Sequence, residues 1–231
     1  MSHITTVFFD FGGTLVEPLR PVEEMWREVA RRVDLSVDAE SLIRAVHDAE
    51  TRFTPKIYEY HGRMKEYWAL VDGFILEQIG CPDPDGRLAA AIERAFKEVL
   101  LSRPYPEARD VLAELKSRGY RIGIISNATE DLVPRLDALG LAPYFDAVTY
   151  SQEARAEKPD PAIFHLAMRR IGCSPSEAIH VGDKPEADVA GARAAGIVPV
   201  LVDRQGAVHG VDCLRVRDLR EVPPLLEKLR A

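Results

Sequence analysis

The chain has 231 residues, 46% hydrophobic and 29% charged, with a formal net charge of −7. That composition excludes disordered, collagenous and coiled-coil classes and allows one large domain or a domain carrying a substantial insertion. The acidic balance, 37 Asp and Glu against 30 Lys and Arg, argues against general nucleic-acid or anionic-membrane binding. An acidic ligand must then be held by a metal or by locally placed donors.

The first strand is expected over Ile4 to Phe9, ending in Asp10 and a Gly12-Gly13 turn. Four amphipathic helices follow with no strand between them. The first carries Val22, Met25, Trp26, Val29 and Val33 on one face, and the second Leu42, Ile43 and Val46. The third carries Met64, Trp68, Val71, Ile75 and Ile79, and the fourth Leu88, Ile92, Ala95, Phe96 and Val99. Asp38 reads as an N-cap, and the glycine- and proline-rich run from Gly80 to Gly86 as a helix break.

After Arg103-Pro104-Tyr105-Pro106 the pattern alternates. Helices are expected over Glu107 to Arg118, Glu130 to Leu139, Pro161 to Ile171 and Glu186 to Ala195. Strands are expected over Tyr120 to Ile125, Ala147 to Tyr150, Ala178 to Val181 and Ile197 to Val202. Apolar strands separated by single helices imply an α/β fold with a doubly wound parallel sheet. The first strand must join that sheet, so the helices form an inserted α-helical bundle. The expected domains are 1–15 with 99–231, and 16–98.

Cys81, Cys173 and Cys213 are odd in number, far apart and in no metal-ligand pattern, as expected of reduced thiols in a cytoplasmic protein. The start lacks the cationic region of a signal peptide, and no apolar run approaches the ~18 residues of a membrane span. His47, His165, His180 and His209 are dispersed and read as packing or surface residues.

Ligands of open parallel sheets bind at the carboxyl ends of the strands. The residues there are Asp10 and Thr14 after the first strand, Ser126 and Asn127 after the second, then Lys158, Asp183 and Asp188. Singly, each has a structural explanation as a turn, a cap or a solvated lysine. Together they make a phosphoryl site. Asp10, Asp183 and Asp188 sum to −3, which Lys158 and a Mg²⁺ offset. Ser126 and the N–H groups after it would hold phosphate oxygens. Asp10, ionised at neutral pH, could attack phosphorus without a base and form an aspartyl-phosphate.

The segments DFGGTL (10–15), IISNA (124–128), EKPDPAIF (157–164) and GDKPEAD (182–188) stand in the order found in the haloacid dehalogenase-like hydrolase superfamily, which the chain resembles along essentially its whole length. The resemblance implies a Rossmann-like core with a helical cap and a small phosphorylated metabolite as substrate. From the charge balance, neither nucleic acid nor membrane is expected as partner, and the oligomeric state, monomer or homodimer, stays open. It implies that Asp10 is the covalent nucleophile and a Mg²⁺ ligand, and that Ser126 binds phosphate. Lys158 would stabilise the nucleophile and the transferring group, and Asp183 and Asp188 would support Mg²⁺.

One position departs from the family pattern. Phosphatases of the superfamily usually carry DxDGT, whose second Asp is the general acid/base, and here that residue is Gly12. The resemblance keeps a metal ligand there, the Gly12 backbone carbonyl, but no proton donor. Losing a positioned acid/base typically costs ~10²–10⁴ in rate. A flexible glycine pair would also suit the turn.

Four readings follow: a slow or atypical Mg²⁺-dependent phosphatase, a 2-haloacid dehalogenase, a phosphonatase using Lys56 or Lys65, and a non-catalytic metabolite- or phosphate-binding protein. Asp183 counts against the dehalogenase, whose relatives place a small hydroxyl residue there. Thr51 to Arg63, rich in aromatic and basic residues, is a candidate substrate-facing lid, as is the stretch Glu17 to Arg20.

Overall fold

The computed structural model describes residues 4–19, 21–53, 56, 59–60, 63–83, 85–99, 102–128 and 132–230. The chain forms two compact units, Met1–Glu17 with Arg103–Ala231, and Pro18–Ser102. Of the candidate lid, residues 54, 55, 57, 58, 61 and 62 lie outside the described residues, as do Arg20 and Glu130.

The strands are β1 (Thr6–Phe9), β2 (Val16–Pro18), β3 (Ser102–Pro104), β4 (Arg121–Ser126), β5 (Ala147–Tyr150), β6 (Ala178–Gly182), β7 (Val198–Val202) and β8 (Leu214–Val216). The helices of the smaller unit are α1 (Val22–Arg32), α2 (Ala39–Phe53), α3 (Met64–Gln78) and α4 (Arg87–Val99). Those of the larger unit are α5 (Ala108–Ser117), α6 (Leu132–Ala138), α7 (Ser151–Ala154), α8 (Pro161–Ile171), α9 (Gly191–Ala194) and α10 (Val222–Arg230).

Six strands form one sheet in the order β5-β4-β1-β6-β7-β8, every neighbouring pair parallel. Its middle strands are apolar on both faces because both faces are covered. Val7 and Phe9 pack with Leu112 and Leu115 of α5 and Leu226 of α10. Phe8, pointing the other way, packs with Phe164 and Ala167 of α8 and Ala192 of α9. β2 and β3 form a separate two-stranded ribbon where the chain leaves the larger unit and returns to it.

The structure adds elements that the sequence pattern did not single out: the edge strand β8, the short α7 and the terminal α10. It also replaces part of one. The helix expected from Glu186 begins as a π-helical segment, Pro185–Ala190, before α9 takes over. Lys184 O accepts the N–H groups of both Asp188 and Val189, at 2.8 and 3.3 Å, which widens the turn around Asp188. Such π-turns recur at functional sites.

In the smaller unit, Trp26 and Val29 of α1 pack with Leu42 and Val46 of α2, Ile75 of α3 and Ile92 of α4. The N-cap holds, since Ser41 N–H donates to Asp38 Oδ2 at 2.8 Å. Trp68 does not join the core: it is 51% exposed, and Tyr67 is buried in its place. The four-residue spacing of Tyr67, Val71 and Ile75 defines the inward stripe, and Trp68 stands at its edge. Among the described residues, no helix is long and apolar enough to cross a membrane.

Candidate active site

From the central β1 the chain winds outward through β4 and β5, then returns to β1's other side for β6, β7 and β8. The carboxyl ends of β4, β1 and β6 therefore lie side by side at the point where strand order reverses. Asp10 follows β1, and its N–H donates to Val181 O of β6 at 2.9 Å. Ser126 closes β4 and is buried, and Asp183 follows β6.

Lys158 arrives from the loop between α7 and α8. The Asn127 side chain fixes it, since Asn127 Oδ1 accepts the Lys158 N–H at 2.7 Å and Nδ2 donates to Lys158 O at 3.0 Å. The buried ammonium then donates to Asp10 Oδ1 at 2.5 Å and Asp188 Oδ1 at 2.6 Å. Asp188 is the most heavily bonded carboxylate here. Its Oδ1 also meets His180 Nε2 at 2.9 Å, and its Oδ2 accepts the Lys184 N–H at 2.9 Å. Gly182 allows this approach, because a Cβ there would overlap the Asp188 side chain.

Asp183 is less committed. Its Oδ1 accepts from Thr14 Oγ1 at 3.4 Å, a long contact that turns the Thr14 hydroxyl towards the carboxylate cluster. Gly13 lies against Asp183 with φ +81, and a Cβ there would collide with the carboxylate. Gly12 has no such requirement: it lies outside the positive-φ set, and a Cβ would meet nothing within 4 Å. Of the glycine pair, then, only Gly13 is needed by the turn.

Burial raises Asp10 to about 6, with Lys158 opposing and Asp188 and Asp183 adding to the rise. Burial also opposes the charge on Asp188, but Lys158 and His180 outweigh it and hold that carboxyl below the usual range. Burial lowers Lys158, yet the Asp10 and Asp188 carboxylates outweigh it and keep the ammonium above its ordinary value. Burial lowers His180, leaving a neutral imidazole. Burial raises Asp183.

Oxygens of Asp10, Asp183 and Asp188 lie within 4.8 Å of one another. Three hard carboxylate donors beside one ammonium leave a formal charge of −2, which suits a small divalent cation such as Mg²⁺. Asp10, Thr14, Asn127, Lys158, Asp183 and Asp188 are joined by these contacts, while Ser126 is placed only at the buried end of β4, and two of the residues differ in use from what was expected. The Asn127 side chain holds the Lys158 backbone, and the Thr14 hydroxyl faces Asp183. Lys56 and Lys65 are exposed residues of the smaller unit.

Two supporting residues were not foreseen. His180 is no mere packing residue: it is fully buried and bonded to Asp188. A histidine inside the apolar strand AIHVG was the available signal, since a buried polar side chain needs a partner. Arg204 donates to Thr14 O at 3.0 Å and Glu107 Oε1 at 2.8 Å, and its guanidinium lies 3.4 Å from the centre of the Tyr105 ring. It thereby steadies the backbone after the glycine turn, across 190 positions of sequence.

The sequence model of the haloacid dehalogenase-like hydrolases matches residues 4–196. The chain is 31% identical over 209 residues to a glyceraldehyde 3-phosphate phosphatase of Methanopyrus kandleri, covering 87% of this chain and 84% of that one. It is 29% identical over 236 residues to (S)-2-haloacid dehalogenase 4A of Burkholderia cepacia, covering 99% and 97%. Its fold matches that of the HAD-hydrolase YfnB from Bacillus subtilis, solved bound to magnesium, with a TM-score of 0.79 at 19% identity over 97% and 99% of the two chains.

Proposed function

The chain belongs to the haloacid dehalogenase-like hydrolase family, and on that premise we propose that it is a Mg²⁺-dependent phosphohydrolase acting on a small phosphorylated metabolite through an aspartyl-phosphate on Asp10. One observation carries this reading: a buried lysine bonded to two carboxylates, with a third carboxylate close enough to share a cation. A site built only for stability would not gather three acids around one base, because burying charge costs more than the pairing returns.

Asp10 is the nucleophile, ionised without a base at neutral pH. Lys158 orients it and offsets the negative charge of an incoming phosphate. Ser126 and the Asn127 N–H hold phosphate oxygens. Asp10, Asp183, Asp188 and the Gly12 carbonyl would hold Mg²⁺, which when bound supplies charge neutralisation to the phosphoryl group. The unit Met1–Glu17 with Arg103–Ala231 is then the catalytic core, and Pro18–Ser102 an inserted helical cap that selects the substrate. The three free cysteines suit a reducing cytoplasm.

Activity is slow or restricted, because Gly12 contributes no acid or base. The test is Mg²⁺-dependent phosphate release from a panel of phosphate esters by wild type and Asp10→Asn. Release that survives Asp10→Asn would refute the covalent route.

The likeness to a 2-haloacid dehalogenase along nearly the whole chain supports a second reading, in which Asp10 attacks carbon. Metal-independent halide release from 2-chloropropionate would select it. Asp183 beside Asp10 opposes it, since a bound halide-bearing carbon gains nothing from a cation site.

A further inference from the structure

Parallel strands β4 and β5 are in register with Ser126 opposite Tyr150, so Asn127 and Ala128 leave the sheet beside Ser151 and Gln152. Beyond the strand ends a side chain takes over from the backbone ladder. Ala128 N–H donates to Ser151 Oγ at 3.1 Å, and the Ser151 hydroxyl donates to Ala128 O, also at 3.1 Å. Gln152 N–H donates to the same carbonyl at 3.2 Å. A hydroxyl is the smallest side-chain group that donates and accepts at once, and Ser151 is buried. The residue before Ala128 is anchored separately, by the two bonds between the Asn127 side chain and the Lys158 backbone. Both anchors lie in one connection, the chain from Ser151 to Lys158 between β5 and α8. The segment that follows Ser126 is thus tied twice to the loop that delivers the buried lysine.

Resting on the reading of Ser126 as a phosphate ligand, we propose that Ser151 is a positioning residue for the substrate phosphate. It touches no substrate itself. By holding both backbone groups of Ala128, it fixes the segment 126–128 in the shape that presents Ser126 Oγ to a phosphate oxygen. A donor aimed in advance costs nothing to orient when the ligand arrives, so the clamp acts on phosphate affinity. Without the hydroxyl, the Ala128 N–H loses its acceptor in a half-buried place, and the segment must move to satisfy it. Ser126 moves with it. The carboxylate cluster is held by other bonds, from Lys158 to Asp10 and Asp188 and from His180 to Asp188. The loss should therefore fall on the phosphate and spare the cation.

The test uses the full-length protein with Mg²⁺, p-nitrophenyl phosphate as the turnover probe and inorganic phosphate as the competing ligand. Ser151→Ala should raise the KM for the probe and the inhibition constant of phosphate by about 5–10-fold, as for the loss of one net hydrogen bond. Its kcat should change less, and its Mg²⁺ affinity, measured by calorimetry, should stay at the wild-type value. Ser151→Thr keeps the hydroxyl and should return both constants towards wild type. If Ser151→Ala does not fold, Ser151→Cys carries the comparison, because a thiol is a weaker donor and acceptor. In a Ser126→Ala background, Ser151→Ala should add little, since a positioning residue acts through the group it positions. A lowered melting temperature with both constants unchanged would reduce Ser151 to a structural staple and overturn the proposal. So would losses that multiply in full in the double variant. Phosphate inhibition unaltered by Ser126→Ala alone would overturn the reading of Ser126, and the proposal with it.

Discussion

Asp188 and His180 meet inside the larger unit, Oδ1 to Nε2 at 2.9 Å, with both side chains essentially without solvent exposure. Because Asp188 is held ionised and His180 neutral, the imidazole must carry its proton on Nε2 and donate it. His180 Nδ1 has no partner, and the ring stands edge-on to Phe164 at 5.1 Å. His180 is thus a positioning residue that fixes the orientation of Asp188.

Replacing His180 with Phe removes that donor without emptying the space. Mg²⁺ affinity, measured by titration calorimetry, should fall by about 10–100-fold, the usual effect of losing a group that orients a ligand. His180→Gln, which can still donate, should recover part of it. Unchanged Mg²⁺ binding in His180→Phe would reduce the histidine to packing.

Lys158→Met leaves Asp10 and Asp188 buried without their cation. Breaking a buried pair this way costs about 3–5 kcal/mol, so the metal-free variant should melt well below wild type. Mg²⁺ should raise its melting temperature more than that of wild type, since the variant site carries one more unit of negative charge. Turnover should fall by at least about 10². Calorimetric melting with and without Mg²⁺ checks the first two statements, and steady-state kinetics the third.

Gly12 and Gly13 should respond in opposite ways to alanine. Gly12→Ala meets open space and should shift stability by no more than about 0.5 kcal/mol. Gly13→Ala forces a Cβ against the Asp183 carboxylate at a backbone angle of φ +81, a strain of about 1–3 kcal/mol. It should weaken Mg²⁺ binding as well, because Asp183 must move. Denaturant unfolding and Mg²⁺ titration of the two variants separate these outcomes.

Asp72, buried in α3 of the smaller unit, is raised to about 7 by burial, with Glu93 adding to the rise. Between pH 4 and 7 the native state binds this proton more tightly than the unfolded chain, so its contribution favours folding at low pH and is lost as pH rises through about 7. One pKa unit is 1.36 kcal/mol, so the penalty at pH 8 is at most a few kcal/mol. Asp72→Asn should therefore be more stable than wild type at pH 8, and the advantage should shrink towards pH 5. Thermal melting across that range gives the result directly, and a gap that widened on acidification would contradict it.

The sheet was readable because its signal is local. Val7, Phe8 and Phe9 in one run announce a strand covered on both faces, and each following helix shows its own apolar stripe. Trp68 misled because periodicity locates a stripe but not its edge, and one residue of rotation moves a side chain from core to rim. The π-turn at Pro185–Ala190 escaped for a different reason: its composition is that of a helix, and its shape follows from drawing Asp188 inward to Lys158 and His180.

Length and composition allowed one large domain or a domain with an insertion, and the order of the apolar runs gave the α/β sheet and placed Asp10, Ser126, Asp183 and Asp188 near strand ends. Those properties belong to neighbours in sequence, so the sequence determines them unaided. Only the tertiary structure decided that Lys158 reaches Asp10 across 148 positions, that Asn127 fixes the Lys158 backbone, and that Arg204 supports Thr14. It also separated Gly13, which the turn requires, from Gly12, which it does not. Such pairings depend on distances of a few ångströms between remote residues, and the packing of the whole sheet sets those distances.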